Sequence, residues 1–166
     1  NFNSLINEKV KEIDPKIKLK LNQVNFKLNP SNFEFEIFTL DPQIAINQKN
    51  IDLENIKFDL NIFDYISNKN PISEISIISK ENDINQFTNF INEYDFNLAR
   101  NLIFKQIKQG KVKIISNINF NENNPQNIKY NINGYVKDAE IKLLNQSKIE
   151  NIKFNFFVDQ DFINLK

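Results

Sequence analysis

Two carboxylate pairs are the residues best spaced for chemistry: Glu34 with Glu36, and Asp159 with Asp161. On a strand, residues two apart share a face, and paired carboxylates are one way to do acid–base work. Such a pair needs a pocket with convergent partners. The chain supplies few of them. It has no His and no Cys, so the commonest general base, the thiolate nucleophile and the usual zinc ligands are missing. There is no Gly-rich phosphate loop and no Ser in an elbow context. Asp138-Ala139-Glu140 offers two alternating carboxylates, the pattern of a solvated strand face more often than of a metal site. Asn145-Gln146-Ser147 matches a glycosylation acceptor, a match that chance supplies in so Asn-rich a chain. Arg100 falls among the polar positions of a helical pattern. These residues predict no catalytic, cofactor or metal site, and a protein that is not an enzyme.

The elements that would position any site come from composition and periodicity. The 166 residues suffice for one domain with a core. Asn, Ile, Lys and Phe make up roughly half of the chain, far above ordinary usage. All four have AT-rich codons, so genome bias accounts for them and a cluster of Asn or Lys carries little weight. Met is absent, which reads as a piece of a longer protein. The 21 basic and 21 acidic residues are well mixed, without the basic stripe of a nucleic-acid binder. No apolar run approaches the ~20 residues of a membrane span, and no signal peptide is visible.

Phe2, Leu5, Ile6, Val10 and Ile13 share one face of a predicted N-terminal helix over 1–14, stopped by Pro15. A first strand set follows over 17–78. Ile17, Leu19 and Leu21 alternate, and Val24, Phe26 and Leu28 continue in the opposite phase. That shift predicts a bulge or bend at Asn22-Gln23. Asn29-Pro30-Ser31-Asn32 is a turn. Phe33, Phe35 and Ile37 form the next ribbon, broken by Asp41-Pro42. Ile44 and Ile46 follow, then Ile51 and Leu53, a run extended by Ile56, Phe58, Leu60 and Ile62. A polar loop leads to Ile75 and Ile77.

Over 83–109 the period becomes helical. Asp83 caps one predicted helix and Asp95 a second, which carries Ile107 and ends at Gly110 as its C′ residue. A second strand set occupies 111–166. It begins at Val112, passes a loop over Asn121–Asn127, and includes three ribbons between Ile128 and Val158. Glu54-Asn55-Ile56-Lys57-Phe58 recurs as Glu150-Asn151-Ile152-Lys153-Phe154, the echo expected of repeated amphipathic strands.

About ten one-sided strands and about three short helices leave more apolar face than the helices can cover. The expected architecture is mainly β with a few short helices: a long, twisted, mostly antiparallel sheet curled into an open groove or half-barrel. The apolar lining would comprise Val24, Phe26, Phe33, Phe35, Ile56, Phe58, Ile132, Phe154 and Phe156. An exposed apolar surface of that extent marks a partner or a ligand, and a lipid acyl chain is one candidate. The alternative is that these are ordinary core residues of a closed structural or interaction domain, adhesin-like or scaffold-like.

The order of these segments resembles the AsmA-like proteins, the relatives of AsmA, YhdP and TamB. Residues 16–46, 51–66 and 72–79 are similar to the start of their periplasmic region. The stretch from Gln106 through Phe156, with its Gly134-Tyr135-Val136-Lys137-Asp138-Ala139 run, is similar to the YhdP-type branch. The resemblance implies a groove-forming sheet anchored in the inner membrane by an upstream helix that this chain lacks. It implies a periplasmic location in Gram-negative bacteria. It also implies a part in moving phospholipid between the inner and outer membranes, and so in outer-membrane biogenesis.

Overall fold

The computed structural model describes residues 15–31, 33–46, 49–67, 69, 71–93, 106–121, 124–142 and 147–166. Among these residues eleven strands form one antiparallel sheet. They are β1 (Ile17–Lys20), β2 (Gln23–Asn29), β3 (Glu34–Leu40), β4 (Gln43–Ile46), β5 (Lys49–Asn61), β6 (Ile72–Ser79), β7 (Asn82–Asp83), β8 (Ile107–Asn121), β9 (Asn124–Lys142), β10 (Lys148–Asp159) and β11 (Ile163–Leu165). Among the described residues two short helices accompany them, α1 (Ile62–Ile66) and α2 (Ile84–Glu93). The order is β1-β4-β5-β6-β8-β9-β10-β11. β3 also pairs with β5, β2 pairs with β3, and β7 pairs with β8. The β1/β2 edge and the β11 edge do not pair with each other, so the sheet is open rather than a barrel.

Nearly every strand is interrupted at the same level. β1 and β2 form one line of chain broken at Leu21-Asn22, and β3 and β4 another broken at Asp41-Pro42, where Asp41 has φ 49°. Asn22 Nδ2 donates to the Asp41 carbonyl at 2.7 Å. Asp41 N donates to the Glu54 carbonyl at 2.9 Å, and Leu53 N to the Pro42 carbonyl at 3.0 Å. The β5 register slips between Leu53 and Asn55, that of β9 around Asp138 (φ 52°), and that of β10 between Ile149 and Ile152, with Asn151 at φ 58°. A bulge bends its strand and increases its twist; a row of them creases the sheet.

The crease explains the repeated pentapeptide. Both copies sit on it, and in both the extra residue moves the apolar phase from odd to even. Leu53 and Ile56 are therefore both buried, and Ile152 packs on the same core. Across the crease in β9, Val136 and Ala139 are both fully enclosed because Asp138 takes up the odd residue.

Buried polar groups close the backbone along this line. Asn82 accepts from Asp52 N (2.9 Å) and donates to the carbonyls of Asp52 (2.9 Å) and Lys80 (2.8 Å). Its amide thus replaces a peptide unit where β6 has ended. Thr39 Oγ1 accepts from Ile56 N at 3.3 Å, and Ser79 Oγ from Ile114 N at 2.8 Å.

α2 covers the apolar face at the crease. Ile84 and Phe87, one helical turn apart, are buried with Ile51, Leu53, Ile107, Val112, Val136 and Ala139. Asp83 N donates to Gln86 Oε1 at 2.9 Å, half of a capping box. Gln86 Nε2 donates to the Asn50 carbonyl and Asn85 Nδ2 to the Lys108 carbonyl, holding the helix between β5 and β8.

Several expectations are corrected. Gly110, with φ 144°, lies inside β8 rather than ending a helix, and Ile107 is also in β8. A side chain at Gly110 would meet Ala139 Cα and the Lys137 carbonyl at 3.2 Å, so this glycine belongs to the crease. Ile62 opens α1 instead of extending β5: Asn61 Oδ1 accepts from the N–H groups of Phe63 (2.9 Å) and Asp64 (3.3 Å), an N-cap. The first two ribbons after Ile128 are one bulged strand, β9, which starts at Asn124 inside the expected loop. The expected N-terminal helix over 1–14 lies outside the described residues, as does most of the second central helix.

Candidate functional site

Residues directly opposite in an antiparallel ladder share a face, so the registers define the apolar face. One row runs Phe26–Ile37–Phe58–Ile75–Ile118–Tyr130, and the next runs Val24–Thr39–Ile56–Ile77–Ser116–Ile132–Val158–Ile163. Leu28, Phe35 and Leu60 form a third row on one side of these. Ile114, Gly134, Phe156 and Leu165 form a fourth on the other side. Val112, Val136 and Phe154 follow. Eight of the nine expected lining residues, all but Phe33, therefore stand on one face.

They do not stand in one environment. Ile56 (3% exposed) and Phe156 (6%) are core, and Phe58, Ile132 and Phe154 pack against that core. Phe26 is 54% exposed, Phe35 is exposed and Val24 is half-buried. Phe33 is not in a strand. It sits in the β2–β3 turn at φ 53°, where its ring meets Phe63 of α1 with centroids 5.0 Å apart.

The exposed members gather at the end of the sheet away from α2, where residues outside the expected lining join them. Leu28 is opposite Phe35. Phe63 and Ile66 (70% exposed) lie three apart on α1, which is tied to the β2–β3 turn by a bond from Ile62 N to the Phe33 carbonyl at 3.1 Å. An Asn cap before apolar residues at i and i+3 was the available signal for Phe63 and Ile66. Phe26, Leu28 and Phe35 are thus exposed on the face that elsewhere forms the core, and Phe33, Phe63 and Ile66 are exposed at the same end of the sheet.

The opposite face is mixed: Phe38, Leu40, Ile78, Ile115 and Phe157 stand on it among polar side chains laced with ion pairs. Lys113 bonds Glu54 (2.5 Å), Lys80 bonds Asp41 (2.6 Å) and Lys137 bonds Glu81 (2.7 Å). The Tyr135 hydroxyl donates to the same Glu81 carboxylate at 2.5 Å. The hydrogen bond from Lys137, and then that from Tyr135, hold the Glu81 carboxyl below its ordinary value. Glu54 raises the Lys113 ammonium. Burial works to lower Lys57, but its bonds to Glu36 (3.1 Å) and Asp59 (3.3 Å) outweigh this and raise it. Ser76, Asn117, Asn131 and Asn133 form a side-chain ladder across β6, β8 and β9.

The carboxylate pairs have structural work. Glu36 is committed to Lys57. Asp159 Oδ1 accepts from the N–H groups of Asp161 and Phe162, both at 2.9 Å, shaping the turn into β11. Asp138 occupies the β9 bulge, and Glu140 pairs with Lys148 at 2.7 Å. Among the described residues no three carboxylates group to hold a metal ion. A surface hollow of about 300 Å³ lies beside β10, lined by Tyr135, Lys137, Lys153, Phe154 and Lys166 among others. No helix of the described residues is long and apolar enough to cross a membrane. Compared with protein families, curated proteins and solved structures, the chain matches none.

Proposed function

We propose that the chain is a non-enzymatic segment of an envelope protein of the AsmA-like kind, and that its apolar β-face shields lipid acyl chains. In this reading the open sheet forms one wall of a groove. The full-length protein lies in the periplasm, held to the inner membrane by an upstream anchor, and contributes to phospholipid transport and outer-membrane biogenesis. The observation that carries the reading is the exposure of Phe26, Leu28 and Phe35 on the face that elsewhere forms the core, with Phe33, Phe63 and Ile66 exposed at the same end of the sheet. Each methylene moved from water onto such a surface contributes about 0.8 kcal/mol. The mechanism needs no head-group site, cofactor or nucleic acid.

The working surface in this reading is the uncovered end, Val24, Phe26, Phe33 and Phe35. Ile56 and Phe156 support it from within the core. Native mass spectrometry of the protein purified from cells tests the idea, with phospholipid expected to travel with it. Phe26→Asp/Phe35→Asp should release that lipid, whereas a wild-type protein that is empty in every preparation sinks the proposal.

The second reading, a structural or interaction β-domain without lipid, is favoured by the filled half of the face, where Ile56, Val112, Val136 and Phe156 pack on one another. Empty protein whose uncovered end binds no acyl chain would select it.

A further inference from the structure

The two long edges of the sheet differ in how they resist another strand. Native edges avoid pairing by being short, bulged or studded with Lys. β11 has three residues, and the neighbouring edge of β10 carries Lys148, Lys153 and the Asn151 bulge. β1 has four residues, of which Lys18 and Lys20 are two. β2 has seven residues, no bulge and no proline. Its one charge is Lys27, and Leu28 stands about half exposed beside it.

The order of side chains in β2 (Gln-Val-Asn-Phe-Lys-Leu-Asn) is close to symmetric about its centre. Two copies run antiparallel with Phe26 opposite Phe26 put Val24 opposite Leu28. All apolar side chains then stay on one face, and the apolar face continues from one copy into the next. Lys27 falls opposite Asn25, so no like charges oppose each other. Pro30 falls opposite Asn22, which confines the pairing to β2. A slip of one residue would turn the apolar side chains to opposite faces.

We infer that β2 is the pairing edge of a two-fold symmetric dimer, its partner being a second copy of this chain. The contact is isologous, so it closes at two copies instead of propagating. A seven-residue strand pair buries less than the ~1,200 Å² of a standard interface, so the dimer is concentration-dependent. It does not require lipid.

Sedimentation equilibrium over a concentration series tests this on the whole chain. The average mass should climb from one copy toward two, and Phe26→Glu, a change at a half-exposed position, should hold it at one copy with an unchanged circular-dichroism spectrum. Because the chain has no cysteine, single cysteines report proximity as a second readout. Phe26→Cys should oxidise to a covalent dimer at least about tenfold faster than Leu165→Cys on the β11 edge or Ile115→Cys on the opposite face, reflecting the effective concentration within a pair. A mass of one copy at every concentration would overturn the inference. So would Phe26→Cys cross-linking no faster than both controls.

Discussion

Gly134 and Phe156 face each other across β9 and β10, and the glycine is there because the ring is. A Cβ at 134 would lie 2.5 Å from the Lys113 carbonyl and 2.8 Å from Phe156 Cε1. Neither neighbour can yield, since one is ladder backbone and the other is buried in the core. Gly134→Ala should therefore cost about 1–3 kcal/mol, the usual range for overpacking, read as a lower urea midpoint with an unchanged slope. The Glu81 cluster gives a pH test at the same scale. The folded Glu81 carboxyl lies below its ordinary value of 4.5, chiefly through Lys137 and then Tyr135. A depressed carboxyl contributes stability that is present above the unfolded value and lost as pH falls through the folded one. Wild type should lose stability to acid from about pH 4.5 downward, and Glu81→Gln should flatten that part of the profile without steepening the alkaline part. An unchanged acid limb would show that the exposed cluster contributes nothing measurable.

At the scale of the element, the bulges keep one side of each strand apolar. Asp138 holds φ 52°, where a residue with a side chain is strained and glycine is not. Asp138→Gly should be neutral or stabilising by up to about 1 kcal/mol. Deleting Asp138 should do far more harm, since Ala139 and Ile141 would turn to the opposite face; thermal melts of the two variants separate strain from register. This element also marks where the sequence was legible. Alternation identified the strands because one side of each is buried, and the reversal at Asn22-Gln23 correctly announced the break between β1 and β2. The same reversal between Leu53 and Ile56 passed as one run, because a bulge leaves the chain extended. Gly110 misled for a related reason: a positive φ ends a helix or kinks a strand equally well, and only the approach of Ala139 decides which. Within each unbroken run the apolar face followed from parity, but its coverage did not. Ile56 and Phe26 share parity and face, and they differ because α2 lies over one end of the sheet.

That uneven cover is the property of the whole molecule with the clearest consequence for dynamics and function. Core burial concentrates where β5, β8 and β9 cross the crease beneath α2, while β2, α1 and the start of β3 project exposed apolar side chains. Regions with few buried contacts open at lower free energy than the core. Amide exchange should therefore be slowest at Ile56, Val112 and Val136, and fastest among the hydrogen-bonded amides of β2 and β11, the two edges. Acyl-chain binding makes a further distinction. A chain on the uncovered end contacts Phe26, Phe35 and Phe63, so added phospholipid should slow exchange in β2, β3 and α1 and leave the crease unchanged. Dimerisation through β2 alone would slow β2 as concentration rises, without lipid and without any effect on α1. A lipid that slowed only the amides beneath α2 would mean that the chain had entered between helix and sheet. That outcome would move the working surface from Phe26 and Phe35 to Phe58, Ile132 and Phe154, the partly buried side chains that pack against the core.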